Sequence, residues 1–319
     1  MSKTPDGAAK KSIPRSTALD KMAPLLFLIS LCVVLATANE RFAHTDNLMT
    51  MVRQSAVIIV IAIGQTLLMI SGGIDLSVGS VIALSVIVAG RMHMAGFDPM
   101  VGAAAAIGVA VLAGLINGLV TTKARVAAFI ATLGMMGIAR GAALVLSNGV
   151  ALEIPEVYVK LGARTEFFGI VVLLVAGAAY FALTRTAFGR RIYAVGGNKE
   201  AARLSGVNVD AHMIKVFAVN GLIVGIAAIL LLARVGSIAS PTSGEGYELD
   251  TIAAAVIGGT SLMGGQGSVG GSLIGALIMA VLRNGCNLLN VSDYWQLVVI
   301  GSLIILAVFY DGMRRRSRA

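Results

Sequence analysis

Residues 54–71 read QSAVIIVIAIGQTLLMIS, an apolar run without one charged side chain. Crossing the hydrocarbon of a bilayer takes about 20 apolar residues, within a range of about 17–25. The same signal recurs at 22–38, 74–92, 100–120, 126–147, 168–184, 214–234, 251–263, 268–285 and 294–310. With 54–71 this makes ten candidate spans. The segment at 251–263 is short and glycine-rich, the pattern of a broken or re-entrant helix packed inside a bundle. The expected fold class is therefore an all-α polytopic membrane protein with about ten transmembrane helices.

Composition agrees. Of 319 residues 57% are hydrophobic and 13% charged, against about 25% charged in soluble domains. The 38 glycines suit close helix packing in lipid. A net charge of +9 raises nucleic-acid binding. The basic residues, however, alternate with apolar segments as loops do, and form no patch with interleaved aromatics. Cys32 and Cys286 lie in or beside apolar stretches as packing residues. His44, His93 and His212 are scattered without metal-ligand spacing. No catalytic residue, cofactor or metal site is expected.

The apolar run 22–38 ends Ala36-Thr37-Ala38 after Lys10, Lys11, Arg15 and Lys21, which mimics a cleavable signal peptide. Because further spans follow directly, an uncleaved anchor is the simpler account. With ten alternating spans and a cytoplasmic N-terminus, the cytoplasmic segments hold 17 of the 25 basic residues. These are five before the first span, Lys123 and Arg125, six between Arg185 and Lys215, and Arg314, Arg315, Arg316 and Arg318. That excess on one side sets orientation, so both termini are expected in the cytoplasm. The expected organisation is a cytoplasmic tail at 1–21, one transmembrane unit at 22–311 with a long cytoplasmic loop at 185–215, and a basic tail at 312–319. Segments 148–167 and 235–250 become the main external loops, carrying Glu153, Glu156, Glu166, Glu245, Glu248 and Asp250.

Two stretches echo each other. Gly72-Gly73-Ile74-Asp75-Leu76-Ser77 and Gly258-Gly259-Thr260-Ser261-Leu262 both precede a Gly-Ser pair, Gly79-Ser80 and Gly267-Ser268, that opens an apolar segment. This is the pattern of an internal repeat with broken helices, although glycine-rich apolar sequence also matches itself by chance. Gly265-Gln266-Gly267-Ser268-Val269-Gly270 satisfies the dinucleotide fingerprint GxGxxG, but that motif needs a strand before it and a soluble βαβ unit around it. A tight turn between two spans explains the glycines. No GxxxxGK[ST] occurs, so any ATP must be bound by another subunit. GxxxG pairs at Gly114/Gly118, Gly137/Gly141, Gly221/Gly225 and Gly271/Gly275 read as close helix contacts.

Asp75 is the most notable lone carboxylate. Either it caps the next helix in a cytoplasmic turn with Ser77, the favoured reading, or it is a buried functional group, because an intramembrane charge faces a cavity or a partner. Asn117 and Asn220 sit in apolar segments, as glue between helices or as lining of a polar path. On the long loop, Asn198-Lys199-Glu200-Ala201-Ala202-Arg203-Leu204-Ser205-Gly206 reads as a short helix ended by glycine. It suits either a groove of a soluble partner or a solvated linker.

Here the residues resemble a family. Glu200-Ala201-Ala202, three residues and Gly206 look like the coupling motif of ABC-importer permeases. The run Phe188–Gly206 is similar to the ribose-type permeases, as are Ser71–Ser80 and Gly246–Ala254 with Gly258-Gly259-Thr260-Ser261 following. The likeness extends over about 45–311. One departure is that no Ile-x-Leu-Pro continuation follows Gly206. The resemblance implies a permease subunit that does no covalent chemistry, in the bacterial inner membrane, as a homodimer or close heterodimer with a second permease subunit. It implies a cytoplasmic ABC ATPase subunit and a periplasmic sugar-binding protein as partners, with Gly197, Asn198, Glu200, Ala201, Ala202, Leu204 and Gly206 coupling to the ATPase. Import of a nucleoside or a branched-chain amino acid is the near alternative. An ion-coupled secondary transporter and a membrane scaffold are the distant ones.

Overall fold

The computed structural model describes residues 18–316, and of 18–21, 307 and 310–316 the backbone alone. Lys10, Lys11, Arg15 and Arg318, and with them most of the expected terminal tails, lie outside the described residues. The ten apolar segments become helices α1 (Ala18–Ala38), α2 (Thr45–Ile70), α3 (Val78–Met94), α4 (Pro99–Thr122), α5 (Ala128–Ser147), α7 (Thr165–Arg185), α10 (Val209–Val235), α11 (Tyr247–Ile257), α12 (Val269–Leu288) and α13 (Asp293–Arg316). Six of these (α2, α4, α5, α7, α10 and α12) are long and apolar enough to cross a membrane. Between them lie the shorter α6 (Glu156–Gly162), α8 (Ala187–Gly197) and α9 (Lys199–Leu204). Strands β1 (Leu152–Glu153) and β2 (Ile238–Ala239) pair antiparallel.

Local chemistry sets the helix ends. Asp98 accepts the Met100 amide at 2.8 Å and precedes a proline at the first position of α4. Asn148 (φ 54°) and Gly149 (φ 73°) take the left-handed backbone that closes α5. Two expectations need correction. The segment expected over 251–263 is an 11-residue helix, about 16 Å long, that stops at Ile257. It also begins earlier than expected, so Glu248 and Asp250 belong to its first turn. Asp250 is 1% exposed and does not sit on a solvated loop.

Burial sorts the helices into an inner and an outer set. The most apolar window of α2 is 89% buried and that of α10 is 72% buried, against 22% for α5 and α7. Those outer helices turn Ile138, Val145, Leu173, Leu174 and Phe181 outward. An apolar exterior around a packed interior is the arrangement lipid permits. Helix α1 joins the bundle against α12, where Leu35 fills the space left by Gly285.

The most extensive helix pair is α4 with α10. A Cβ on Gly114 would sit 3.1 Å from Gly221 Cα and closer still to the Phe217 carbonyl. One on Gly118 would come 2.9 Å from Ile214 Cα, and one on Gly225 2.9 Å from Ile107 Cα. Two GxxxG motifs therefore face each other. Gly271 and Gly275 likewise bring α12 onto the backbone of α11 at Gly258 and Ala254. Gly137 and Gly141 differ: among the described residues, a Cβ there meets nothing within 4 Å.

This contrast sets a prediction. Gly114→Ala should destabilise the detergent-solubilised protein by about 1–3 kcal/mol through overpacking. Gly137→Ala should be neutral or slightly stabilising, because alanine is the better helix former. Thermal unfolding followed by size-exclusion chromatography measures both; equal effects would contradict the packing.

Candidate functional site

Helix α2 ends in Ser71-Gly72-Gly73. Gly72 has φ +81°, and the amides of Gly72 and Gly73 donate to the carbonyls of Met69 (2.9 Å) and Leu68 (3.0 Å). After α11, Gly259 has φ +87°, and the amides of Gly259 and Thr260 donate to Val256 and Ala255, both at 2.9 Å. The two turns thus share one capping geometry. The structural match is Gly72 with Gly259, one residue displaced from the alignment expected of the sequences. The left-handed backbone falls on the second residue past the helix, and that position fixes the register.

The first turn carries Asp75. Its Oδ1 accepts from the Ser77 amide (2.8 Å) and the Ser77 hydroxyl (2.6 Å), and its Oδ2 accepts from Asn220 Nδ2 on α10 (2.9 Å). Asn117 Nδ2 on α4 donates to the Ser77 hydroxyl at 3.1 Å. The polar residues singled out from the sequence, Asp75, Ser77, Asn117 and Asn220, therefore form one cluster. The reading of Asp75 as a cap that needs no buried charge is corrected. It does bind the Ser77 amide at the start of α3, yet it is 4% exposed. Burying a carboxylate is costly unless donors replace water, and here three do. Gly64 makes room: a Cβ there would collide with Asn220 Oδ1, a buried atom that has no hydrogen-bond partner among the described residues.

The segment at 187–204 lies beside this turn. Asn198 ends α8 through its amide, which donates to the Ala194 carbonyl (3.1 Å). It opens α9 through its side chain, which accepts the Ala201 amide (2.9 Å). Gly206 (φ +83°) closes α9, its amide donating to the Arg203 carbonyl at 3.0 Å. Glu200 pairs with Arg203 at 2.7 Å on an exposed face, and Leu204 is 89% exposed. Ala202 points the other way, buried, and seats the helix. Gly197 is open. Two contacts tie this knuckle to both turns. The Tyr193 hydroxyl donates to the Gly267 carbonyl (2.9 Å), and Gly196 lies against the Ile70 carbonyl so closely that no side chain fits. The GxGxxG glycines serve the same contact, Gly264 and Gly265 stacking on Gly196 and Gly197. A helix, α11, precedes them where a dinucleotide site needs a strand.

Sequence reasoning missed the ion pair of Asp250 on α11 with Arg283 on α12, at 2.7 Å. The signal that could have found it is the pair of opposite charges within neighbouring apolar segments, each expensive there unless paired. Cys32 and Cys286 are free thiols. Among the described residues, no three His, Cys, Asp or Glu side chains converge as metal ligands.

Residues 47–308 match the family described as branched-chain amino acid transport system / permease component. The chain is 42% identical over 304 residues to the ribose import permease protein RbsC of Escherichia coli (strain K12), covering 91% of this chain and 93% of that one. It is 40% identical over 315 residues to its Bacillus subtilis (strain 168) counterpart, covering 97% of each. To the D-allose transport system permease protein AlsC of Escherichia coli (strain K12) it is 36% identical over 315 residues, 96% of each. No solved structure matches the chain.

The unpaired Asn220 Oδ1 makes the Asp75 cluster testable. In Asp75→Asn the new amide can donate to a flipped Asn220, so protein level and transport should stay within a few-fold of wild type. Asp75→Ala strands the Ser77 and Asn220 donors, each worth about 1–3 kcal/mol, and should lower membrane yield and thermal stability sharply. Both are read by quantitative blotting and unfolding in detergent.

Proposed function

This chain belongs to that permease family, and we propose that it is the membrane-spanning subunit of an ATP-driven importer of a monosaccharide, a ribose-like pentose or a related sugar. The observation that carries the reading is similarity over nearly the whole chain to permeases named for ribose and D-allose. It also favours sugar over the branched-chain amino acids of the family's description. The subunit is no enzyme: its relatives are permease components, so ATP hydrolysis is assigned to a separate ATPase subunit and delivery of the sugar to a periplasmic binding protein.

The finer features of the reading are ten spans, both termini in the cytoplasm, one transmembrane unit over 22–311, a second permease subunit in a homodimer, and the bacterial inner membrane. The basic loop 185–215 supports this orientation, since its six Lys and Arg residues face the cytoplasm in it. In this mechanism, closure of the ATPase pushes on α9. Glu200, Ala201 and Leu204 provide the contact face, while Asn198, Ala202 and Gly206 hold its shape. Gly196 and Tyr193 pass the displacement to the turns that end α2 and α11, and the bundle alternates its access.

The secondary-transporter alternative needs a titrating intramembrane carboxylate that is free to exchange. Asp75 is committed to three donors, and Asp250, the second buried carboxylate among the described residues, to Arg283.

The Glu200–Arg203 pair is exposed, and such a pair contributes about 1 kcal/mol at most. Glu200→Lys and Leu204→Ser should therefore leave the protein folded and monodisperse. They should cut retention of the ATPase subunit on co-purification in detergent at least tenfold. Undiminished retention in both variants would remove the docking role of α9. A folded wild type that retains no ATPase would remove the importer reading.

A further inference from the structure

At the end of the bundle opposite α9 lies a cavity of about 620 Å³. Helix α10 separates the two: it starts at Val209 beside α9, runs 27 residues, about 40 Å, and ends at Arg234 and Val235 in the cavity wall. Residues 50–58 of α2, the first turns of α11 and α13 and the last turns of α12 complete the wall. Its principal polar side chains are Arg53, Arg234, Tyr247, Asp250, Arg283 and Gln296.

Each of these groups is already held. Arg53 Nε donates to Thr165 Oγ1 (2.9 Å), and Arg234 Nη2 donates to the Tyr247 hydroxyl (2.8 Å). Arg283 Nη2 donates to Asp250 (2.8 Å), and Gln296 Nε2 donates to Asn287 Oδ1 (2.7 Å). Three guanidiniums face two carboxylates, Asp250 and Asp293, so the charges nearly cancel. Charged groups inside an apolar bundle mark a cavity that takes a polar solute. Asp250 and Arg283 are committed to each other, and Arg53 and Arg234 to neutral hydroxyls, so a charged solute would have to break the ion pair or displace a hydroxyl to gain a partner. A neutral polyhydroxylated one would not: each hydroxyl both donates and accepts. The carboxylate and amide oxygens accept from it, and guanidinium N–H groups donate to it. The volume falls within the range of about 300–1,000 Å³ of small-molecule sites.

We propose that this cavity is the station where the permease receives the monosaccharide, with the Asp250–Arg283 pair and the amides of Gln54 and Gln296 as its hydroxyl-binding groups. The assignment rests on the importer reading and adds the place and the residues. Helix α11 connects the station to the driving end, since Tyr247 and Asp250 stand at its first turn in the cavity and Gly258 ends it just before the turn whose Gly264 and Gly265 rest on Gly196 and Gly197.

Thiol protection tests it on the purified assembly with its ATPase subunit in detergent. In a Cys32→Ser/Cys286→Ser background, Ala280→Cys places one thiol in the wall. D-ribose, D-allose, D-fructose or D-xylose at saturation should slow its modification by a charged methanethiosulfonate at least threefold, and leucine should not. In proteoliposomes carrying the binding protein, Gln54→Ala, an exposed side chain of the wall, should lower sugar uptake at least fivefold with the ATPase subunit still bound. Protection by none of the sugars, protection by leucine instead, or uptake of Gln54→Ala within twofold of wild type each overturns the station. If wild type itself shows no ATP-dependent uptake of any of the four sugars, the importer reading fails first, and this proposal falls with it.

Discussion

The carbonyl oxygen of Ile70, at the end of the most buried helix, is where three parts of the chain meet. It accepts the Gly265 amide at 2.8 Å from the turn that follows α11, and Gly196 at the end of α8 presses against it from the third side. A helix end buried in a bundle leaves carbonyls without intrahelical partners, and water cannot reach them. The Gly265 amide satisfies one, but only if backbone meets backbone. That requirement explains the glycines at 196, 264 and 265, since a Cβ at any of them would approach backbone atoms at 3.0 Å or closer. The exposed knuckle, the half-length helix and the central span are thus tied by main-chain contacts, which transmit displacement with little slack.

Much of this was legible in the sequence because lipid is a strict solvent. Each of the ten apolar runs became a helix, and Asp75, Ser77, Asn117 and Asn220 drew notice because polar groups are rare in such runs. Their convergence into one cluster was not legible. It depends on α4 and α10 crossing at facing glycines, and nothing in a single sequence says which GxxxG motifs face which. Gly114/Gly118 and Gly137/Gly141 look alike on paper, yet the first pair is closed against α10 and the second is open. Asp250 was misplaced for a related reason. Acids near a span boundary are assigned to loops by default, and only its partner Arg283, 33 residues away, makes an inward position tolerable.

Two further observations bear on how α11 can move. Near its C-terminal end, α11 is in main-chain contact with α12 through Gly258, Gly271 and Gly275; at its first turn, Asp250 is bound to Arg283 of α12. An element fixed to its neighbour at both ends cannot bend away from it without breaking either the ion pair of the buried Asp250 or a close-packed backbone contact. Asp250 is 1% exposed, so losing Arg283 would strand a buried carboxylate. Helices α11 and α12 therefore behave as one rigid unit. That unit leans on α2 through the Thr66–Ser272 hydroxyl contact and the Ile70–Gly265 bond. In the proposed mechanism a push on α8 would be delivered to the pair as a whole at the glycine end. It would reach Tyr247 and Asp250 as a rotation about the contacts with α2, which is how a helix of only 11 residues would serve both ends of the bundle.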